Sequence, residues 1–284
     1  MKVLVLGAGG IVGQELRCQQ PEGFEVTYTR TEPTDDSVQL HFTQQDDEYY
    51  LYGLLDELEP DVVINLAGVN DVDKVERGFY LAEPINVLVP QILSGWCEEN
   101  GSFLIQCSTQ GVFSGEKPPY SASSPVDPVN EYGRQKARAE GIVLSRCSNA
   151  LVARLTFVYG IRPFNYGRVN PLEIMMSDKK PQLQVNDRFF SPLWSKDAAA
   201  ILWELATSDI RGIVHLGEPV RVSRYTLACH CAWETARNLK IQPVSHEFFE
   251  GIAERPYDTT WDRGSLFQTP YPTAILNSFF EWRE

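Results

Sequence analysis

Apolar and polar positions follow a regular order through the first half of the chain. Short apolar runs, typical of buried parallel strands, alternate with longer segments whose apolar positions recur every three or four residues, as on one face of a helix. The predicted strands are KVLVLG, FEVTYT, DVVINLAG, SFLIQCS and NALVARLTFVYG. Alternation of this kind predicts an α/β fold, in which a doubly wound parallel sheet carries helices on both faces.

The pattern loses this regularity after Gly160, where IRPFNYGRVNP is rich in Pro, Gly, Asn and Arg. A helix is predicted at SKDAAAILWELATS with Ser195 as its N-cap, and GIVHLG is predicted to return to the sheet as a sixth strand. We therefore predict a sheet domain and a smaller, discontinuous C-terminal substrate lobe. Residues 1–160 and about 196–216 form the predicted sheet domain, and residues 161–195 and 217–284 the lobe.

Composition and charge limit the classes of partner. The 284 residues carry a formal net charge of -13, which argues against a nucleic-acid-binding protein. No apolar run approaches the ~18 residues of a membrane span, and the N-terminus enters a strand and a glycine turn at once, so we expect no signal peptide and a cytoplasmic protein. The six cysteines lack paired metal-ligand spacing, and we expect reduced core thiols and no metal site.

A glycine-rich turn follows the first predicted strand. GAGGIVG places Gly7, Gly10 and Gly13 between this strand and a helix. Glycine permits a tight turn and lets backbone N–H groups approach a pyrophosphate, while the helix N-terminus attracts the anion. This position predicts a dinucleotide site of Rossmann type.

The end of the second predicted strand bears on the choice of dinucleotide. An NAD site usually has Asp or Glu there to bind the ribose 2′-hydroxyl. This chain has Arg30 between two threonines, and Glu32 comes slightly later. A cation suits a 2′-phosphate, so NADP(H) is favoured, while Glu32 keeps NAD(H) as the less favoured alternative.

Candidate chemistry follows the fourth predicted strand. Ser108 and Thr109 end this strand at the carboxyl edge of the sheet, where open α/β folds bind ligands. The next predicted helix, EYGRQKARAEGIVLS, carries Tyr132 and Lys136 four residues apart and therefore on one face. A phenol beside an ammonium is expected to have a lowered pKa and to act as a proton donor.

Several motifs together resemble a known family. GAGGIVG, PDVVINLAG, Asn86, CSTQGVF, the Tyr132–Lys136 pair and LTFVYG have the order and spacing of extended short-chain dehydrogenases/reductases. VDKVE, PVNEYGRQKARAE and VNDRFFSPLWSKDAA are similar to the dTDP-4-dehydrorhamnose reductase branch, the nucleotide-sugar 4-keto reductases. The resemblance implies an NADPH-dependent reductase of a nucleotide-linked 4-keto-6-deoxysugar. It also implies a possible homodimer through helices of the sheet domain.

The resemblance also implies roles for single residues. Tyr132 donates the proton, Lys136 assists it and holds the nicotinamide ribose, and Thr109 binds the substrate oxygen. Asn86 supports the lysine, and Ser108 serves the cofactor or the backbone. The complete predicted cofactor site is Gly7, Gly10, Ile11, Val12, Gly13, Arg30, Leu66, Ala67, Gly68, Asn86, Ser108, Tyr132, Lys136 and Phe157.

The predicted substrate site departs from that branch at one segment. Where rhamnose-type reductases usually read Ser-Thr-Asp-Tyr-Val-Phe-Asp-Gly, this chain reads Ser-Thr-Gln-Gly-Val-Phe-Ser-Gly, so Gln110 and Phe113 are candidates for contact with a different sugar. A diphosphate suits arginine, and the arginine candidates are Arg162, Arg168, Arg188 and Arg255. Trp194 is placed either against a base or sugar, or in the core.

Two other functions remain open at this stage. An epimerase of the same superfamily would keep NAD tightly bound, which Arg30 does not favour. A regulatory subunit would bind NADP and a partner protein without turnover. The altered segment permits this second alternative, but Thr109, Tyr132 and Lys136 all weigh against it.

Overall fold

The computed structural model describes residues 1–31, 37–40, 47–164, 182–218, 220–234, 239–249 and 251–262. A seven-stranded parallel sheet forms its centre, in the order β11-β6-β5-β4-β1-β2-β3. These strands are β1 (Lys2–Leu6), β2 (Glu25–Arg30), β3 (Val38–Gln39), β4 (Val62–Asn65), β5 (Phe103–Thr109), β6 (Ala150–Leu155) and β11 (Gly212–Leu216). The predicted doubly wound α/β fold is confirmed.

Helices cover both faces of this sheet because each face is apolar. On one face α1 (Ile11–Cys18) and α6 (Ser195–Ala206) bury one core cluster with β1, β4, β5 and β6. On the other, α2 (Asp47–Leu58), α4 (Val89–Asn100) and α5 (Glu131–Arg146) bury a second cluster. Strands that are apolar on both sides read as continuous hydrophobic runs, which is why the sequence identified them.

Shorter elements complete the described chain. The helical ones are α3 (Val72–Glu76), a π-helix at Pro84–Leu88, 3₁₀ turns at Gln110–Val112 and His246–Phe248, and α7 (Arg224–Glu234). The strands are β7 (Phe157–Tyr159), β8 (Gln182–Val185), β9 (Phe189–Phe190), β10 (Pro192–Trp194), β12 (Val222–Ser223), β13 (Ile241–Val244) and β14 (Asp258–Thr259). They pair as β7 with β10, β8 with β13, and β9 with both β12 and β14.

The fifth predicted strand is divided in two at Thr156. β6 stays in the main sheet, whereas β7 pairs with β10. The last pair between β5 and β6 joins Thr109 to Leu155, and β5 then turns into a 3₁₀ helix. The chain beyond Leu155 therefore has no neighbour in the sheet on that side, and continuous apolar character alone did not reveal the break.

The predicted N-cap at Ser195 is wrong. α6 begins at Ser195 itself, Trp194 occupies the cap position, and no side chain caps the helix. The Ser195 hydroxyl instead donates to Glu15 Oε1 on α1, at 3.3 Å. The serine thus links the two helices that cover one face of the sheet.

The loop at residues 251–255 is anchored to the sheet domain through Asp73. Its carboxylate accepts the backbone N–H groups of Ile252 and Ala253 at 3.0 Å and pairs with Arg255 at 3.0 Å. Asn130 adds a hydrogen bond from its side-chain amide to the carbonyl of Glu254. Since Asn130 also caps α5, this loop is held against the helix that carries Tyr132. Within the described ranges, no helix is both long and apolar enough to cross a membrane.

Two glycines, Gly101 and Gly53, have open surroundings. An alanine at either position therefore tests backbone conformation without changing side-chain packing. Gly101 ends α4 at φ +72°, and Gly53 lies inside α2; an added Cβ would meet nothing within 4 Å at either site. We expect Gly101→Ala to lower the free energy of unfolding by about 1 kcal/mol, because alanine is strained at positive φ. Gly53→Ala should raise it by roughly 0.5–1 kcal/mol, because alanine favours the helix. Urea denaturation measures both, and a shift of the same sign in the two variants would contradict this assignment.

Candidate active site

The glycine-rich turn is shaped partly by its own packing. Gly7 has φ +82°, and a Cβ there would lie 2.6 Å from the backbone nitrogen of Ala67. A Cβ at Gly13 would lie 2.5 Å from the Cα of Ala8. These two glycines let the turn approach the segment after β4 and let α1 approach the turn.

Gly10 differs from the other two glycines. It is exposed, it occupies the N-cap of α1, and an added Cβ would come no closer than 3.6 Å to the protein. No internal contact therefore requires a glycine at this position. Bare backbone at an exposed helix N-terminus is the surface that a pyrophosphate approaches, and the residues present fit such a group. Ile11 and Val12 follow in the first turn of the helix.

Arg30 lies beside this turn at the end of β2. Its side chain is buried, and its Cβ is 3.9 Å from the position of a Cβ at Gly9. The cation predicted for a 2′-phosphate is thus next to the glycine turn. Glu32, the residue that kept NAD as an alternative, lies outside the described residues.

The segment after β4 forms the opposite wall of the turn. Leu66 and Ala67 contact Gly7, and Gly68 is exposed. Asn86, on the π-helix, holds this segment: its amide accepts from the N–H of Val69 at 2.8 Å and donates to the Val69 carbonyl at 3.1 Å. The same amide donates to Gln135 Oε1 at 2.8 Å.

Asn86 therefore acts by positioning other groups. It is fully buried and connects the segment after β4 to α5 one residue before Lys136. Its expected place in the cofactor site is corrected accordingly, because its side-chain amide is occupied by protein groups. The π-helix carries this asparagine inward, and no local sequence pattern predicted that irregularity.

Tyr132 is brought to the end of β5 by a close approach of two backbones. A Cβ at Gly133 would overlap the carbonyl oxygen of Gly111 and reach 2.8 Å from the Cβ of Pro128. Gly111 in turn lies between Thr109 and the ring of Tyr132. Both glycines were absent from the predicted site, although the departure at Gly111 was visible in the sequence. The contact between them fixes where α5 begins relative to β5.

Thr109 and Tyr132 lie on either side of Gly111, where an added Cβ would be 3.5 Å from the Thr109 side chain and 3.9 Å from the Tyr132 ring. Burial raises the pKa of Tyr132 to about 12, and a hydrogen bond with the Thr109 side chain opposes this rise. The prediction that Lys136 lowers the pKa of Tyr132 is wrong. The pKa of Tyr132 is raised, because burial is the largest cause of its shift. The phenol is consequently protonated at neutral pH and retains a proton that it can donate.

Lys136 faces the same strand one helical turn later. It is buried, and its Nζ donates to the carbonyl oxygen of Cys107 at 2.7 Å. Burial lowers its pKa, while Cys107 and Glu140 oppose that effect. Tyr132, Lys136 and Thr109 thus meet at the carboxyl end of β5, as the sequence predicted.

Ser108 is directed into the protein interior. Its hydroxyl donates to the Glu140 carboxylate, which also pairs with Arg154 at 2.7 Å. The expectation that Ser108 serves the cofactor is therefore corrected. Glu140 and Arg154 were not predicted, although Glu140 continues the i, i+4 series of Tyr132 and Lys136.

The candidate sugar contacts separate into accessible and inaccessible residues. Gln110 is half-buried beside Thr109, and its side-chain oxygen accepts a hydrogen bond from Thr156. Phe113 is fully buried, with its ring 4.1 Å from that of Tyr120, so its predicted contact with the sugar is wrong. Trp194 is also core: it is 5% exposed and packs edge-on against Tyr159, which settles the choice left open by the sequence.

Phe157 and the candidate arginines differ in their contacts. Phe157 is half-buried, 4.8 Å from the Phe190 ring, with the guanidinium of Arg224 4.8 Å from its own centre. Arg188 lies over the Tyr257 ring at 5.3 Å, and its buried Nε has no partner among the described residues. Arg255 is already paired with Asp73. Arg168 lies outside the described residues.

All six cysteines are free thiols, of which Cys18 is exposed and Cys229 half-buried. Among the described residues, no group of three or more His, Cys, Asp or Glu side chains is arranged to hold a metal ion.

The chain is similar to a known protein family and to several known proteins. The family model described as "RmlD substrate binding domain" matches residues 1–271. The "probable low-salt glycan biosynthesis reductase" of Haloferax volcanii is 36% identical over 232 residues, which are 78% of this chain and 76% of the relative. Methionine adenosyltransferase 2 subunit beta of Danio rerio is 26% identical over 305 residues, 99% of this chain and 91% of the relative.

A solved structure has the same fold over almost the whole chain. The dTDP-4-dehydrorhamnose reductase of Bacillus anthracis, in complex with NADP, superposes with a TM-score of 0.84 at 23% identity and covers 99% of this chain and 98% of its own. The family model spans both the sheet and the lobe. The chain therefore belongs to the RmlD substrate binding domain family.

Proposed function

We propose that this protein is an NADPH-dependent reductase of a nucleotide-linked 4-keto-6-deoxysugar. One observation carries the proposal: Thr109 and the Tyr132 ring flank Gly111 at the carboxyl end of β5, with Lys136 on the adjacent turn of the helix that carries Tyr132. This is the edge of the sheet where the glycine turn offers open backbone. A ketone held there would have a proton donor within reach.

The cofactor assignment depends on residues of the glycine turn and β2. The exposed backbone at Gly10 suits the pyrophosphate, and Arg30 suits a 2′-phosphate, since guanidinium binds phosphate through charge-assisted hydrogen bonds. NADP in the Bacillus anthracis structure is bound by a chain of the same fold, which is consistent with this choice. NAD(H) is the less favoured cofactor.

The proton chemistry is assigned to Tyr132. When bound, a reduced nicotinamide would supply a hydride to the carbonyl carbon, and the carbonyl oxygen would gain negative charge. The raised pKa keeps Tyr132 protonated at neutral pH, so that its proton is available to this oxygen. Thr109 would donate a hydrogen bond to the same oxygen. Lys136 would stabilise the phenolate left behind, because an ammonium has three donors and Cys107 accepts from one of them.

The diphosphate of the substrate is assigned to the lobe. Arg188 offers a buried Nε that no described residue accepts from, which is a group that a phosphate oxygen would satisfy. Arg224 is exposed, and its guanidinium lies over the Phe157 ring, 4.8 Å from the ring centre. Gln110 is placed at the sugar, next to Thr109.

A second candidate function is supported by the similarity to methionine adenosyltransferase 2 subunit beta over 99% of the chain. Under this alternative the protein would bind a dinucleotide and a partner enzyme and would act as a regulatory subunit. The retained contact between Thr109 and Tyr132 favours the reductase, because a purely regulatory role does not need a proton donor.

Replacement of the proposed proton donor distinguishes the two functions. Tyr132→Phe removes only the hydroxyl. We expect kcat for NADPH oxidation with a nucleotide 4-keto-6-deoxysugar to fall by roughly 10²- to 10⁴-fold, the usual contribution of a positioned general acid. The dissociation constant for NADPH should change little.

The matched control is Tyr80→Phe, which removes a hydroxyl from an exposed tyrosine. It should leave both kcat and NADPH affinity unchanged. If the wild-type protein binds NADPH but turns over none of a panel of nucleotide 4-ketosugars, the reductase proposal is wrong and the regulatory alternative gains support.

The proposed 2′-phosphate contact has its own test. Arg30→Ala should raise the dissociation constant for NADPH by on the order of tenfold or more, because a hydrogen bond to a charged group contributes ~1.5–3 kcal/mol. Binding of NADH, which lacks the phosphate, should be little affected. Nicotinamide fluorescence measures both constants, with Arg77→Ala at an exposed site as the control for loss of one positive charge. Equal losses for the two cofactors would contradict the assignment.

A further inference from the structure

A row of three buried ionic side chains lies behind the candidate active site, and the proposed mechanism uses one of them. Lys136 and Glu140 are one helical turn apart on α5, and Arg154 lies on the neighbouring strand β6. Each is no more than 4% exposed. Buried charges are costly unless they are paired and hydrogen-bonded, so the arrangement of this row needs an explanation.

The Glu140 carboxylate is fully occupied, although not by the lysine beside it. Arg154 binds it in a bidentate manner, with Nε 3.0 Å from Oε1 and Nη2 2.7 Å from Oε2. The hydroxyl of Ser108 donates to Oε1 as well. A bidentate guanidinium–carboxylate pair has a fixed geometry, so Arg154 holds both oxygens of the Glu140 carboxylate.

Arg154 is itself held from several sides. Its Nη1 lies 3.3 Å from the carbonyl oxygen of Ala122 and 3.3 Å from His215 Nε2. Its guanidinium carbon is 5.1 Å from the centre of the Phe113 ring. Ser108, Arg154 and His215 are register partners across β5, β6 and β11, so the sheet sets their spacing. Arg154 therefore has little freedom to leave Glu140.

Lys136 takes a different acceptor. Residues four apart on a helix commonly form ion pairs, and Lys136 has Glu140 at that spacing. Its Nζ nevertheless donates to the Cys107 carbonyl, at 2.7 Å, and it forms no ion pair with Glu140. Cys107 lies two residues before Thr109, so this choice keeps the ammonium at the end of the strand where Tyr132 is found.

We propose that Glu140 and Arg154 are a positioning pair for Lys136. Glu140 supplies the negative charge that keeps the buried ammonium protonated, and Arg154 occupies both carboxylate oxygens so that Glu140 does not draw the ammonium away from Cys107. The geometry of the pair stands independently of the reaction. Its effect on turnover rests on the proposed reductase function.

The electrostatic surroundings of Lys136 support this division of roles. Burial lowers its pKa, and Cys107 and Glu140 oppose that effect. Burial raises the pKa of the Cys107 thiol to about 12, so Cys107 carries no negative charge at neutral pH. Burial and then Arg154 lower the pKa of His215 to about 3, so this imidazole is neutral. The titratable groups facing this region are Tyr132 and Glu140 on α5, Cys107 on β5, Arg154 on β6 and His215 on β11.

The test measures the titration of Lys136 directly. The chain has eight lysines, and labelling them with ¹³C at Cε gives few enough NMR signals to assign that of Lys136 by its loss in Lys136→Met. Glu140→Gln should lower the titration midpoint by roughly one pH unit or more, because the opposing charge is lost. Arg154→Met should raise it, because Glu140 then becomes free to pair with the ammonium. Arg154→Lys, which keeps the charge, should lie nearer to the wild type than Arg154→Met.

A matched control and a charge-neutral variant complete the design. Glu83→Gln breaks an exposed ion pair with Arg138, which lies on α5 as Lys136 does. It should leave the titration midpoint of Lys136 unchanged. The double variant Glu140→Gln/Arg154→Met leaves no unpaired buried charge, and its midpoint should fall between those of the wild type and Glu140→Gln. If a single variant does not fold, an unchanged midpoint in the double variant overturns the proposal. Shifts of the same sign in the two single variants overturn it as well.

Turnover provides the second readout. The basic limb of the pH profile of kcat/KM should move to lower pH in Glu140→Gln, since Lys136 then loses its charge at lower pH. A purely structural role would lower the rate without moving this limb. If the NMR midpoints shift in opposite directions while the wild-type protein reduces no ketosugar, the positioning pair stands and the reductase proposal fails. If the wild-type protein reduces a ketosugar but the NMR midpoints do not shift in the variants, the reductase proposal stands and the positioning pair is overturned.

Discussion

The backbone of α5 approaches the end of β5 so closely at Gly133 and Gly111 that neither helix nor strand can shift independently. A side chain at Gly133 would overlap the Gly111 carbonyl, so this contact sets the register of the helix along the strand. The face formed by Tyr132, Lys136 and Glu140 then runs beside the residues from Cys107 to Thr109. Tyr132 meets Thr109, Lys136 meets the Cys107 carbonyl, and Glu140 meets Ser108. The proposed roles of Tyr132, Lys136 and Glu140 follow from this one alignment.

The site is also connected to distant parts of the chain. Asn86 joins the wall of the glycine turn to α5, and Asn130 joins the cap of α5 to the lobe at Glu254. Asp73 holds the same lobe loop on α3. A short series of hydrogen bonds therefore connects the loop at residues 251–255 to the helix that carries Tyr132. Such connections are what hold a reacting group within a fraction of an ångström of its target.

A protein can belong to this family without catalysing the reaction of its reductases. The family includes proteins described as reductases, and the chain resembles a protein described as a subunit of methionine adenosyltransferase over nearly its full length. Function is therefore decided by the site rather than by the fold. Here the segment after Thr109 has an amide and a glycine where rhamnose-type reductases usually have an acid and an aromatic ring, while Tyr132 and Lys136 are retained.

The sequence alone determined the parallel sheet, the position of the glycine turn and the shared helical face of Tyr132 and Lys136, because apolar runs, glycine spacing and helical periodicity are local properties. It did not determine which side chains are accessible. Phe113 and Trp194 carry suitable chemistry for a sugar, but packing against Tyr120 and Tyr159 buries them. Ser108 and Asn86 bind protein groups that lie 32 and 17 residues away in the chain. Burial and long-range pairing decide such roles, and both arise only when the strands are assembled side by side.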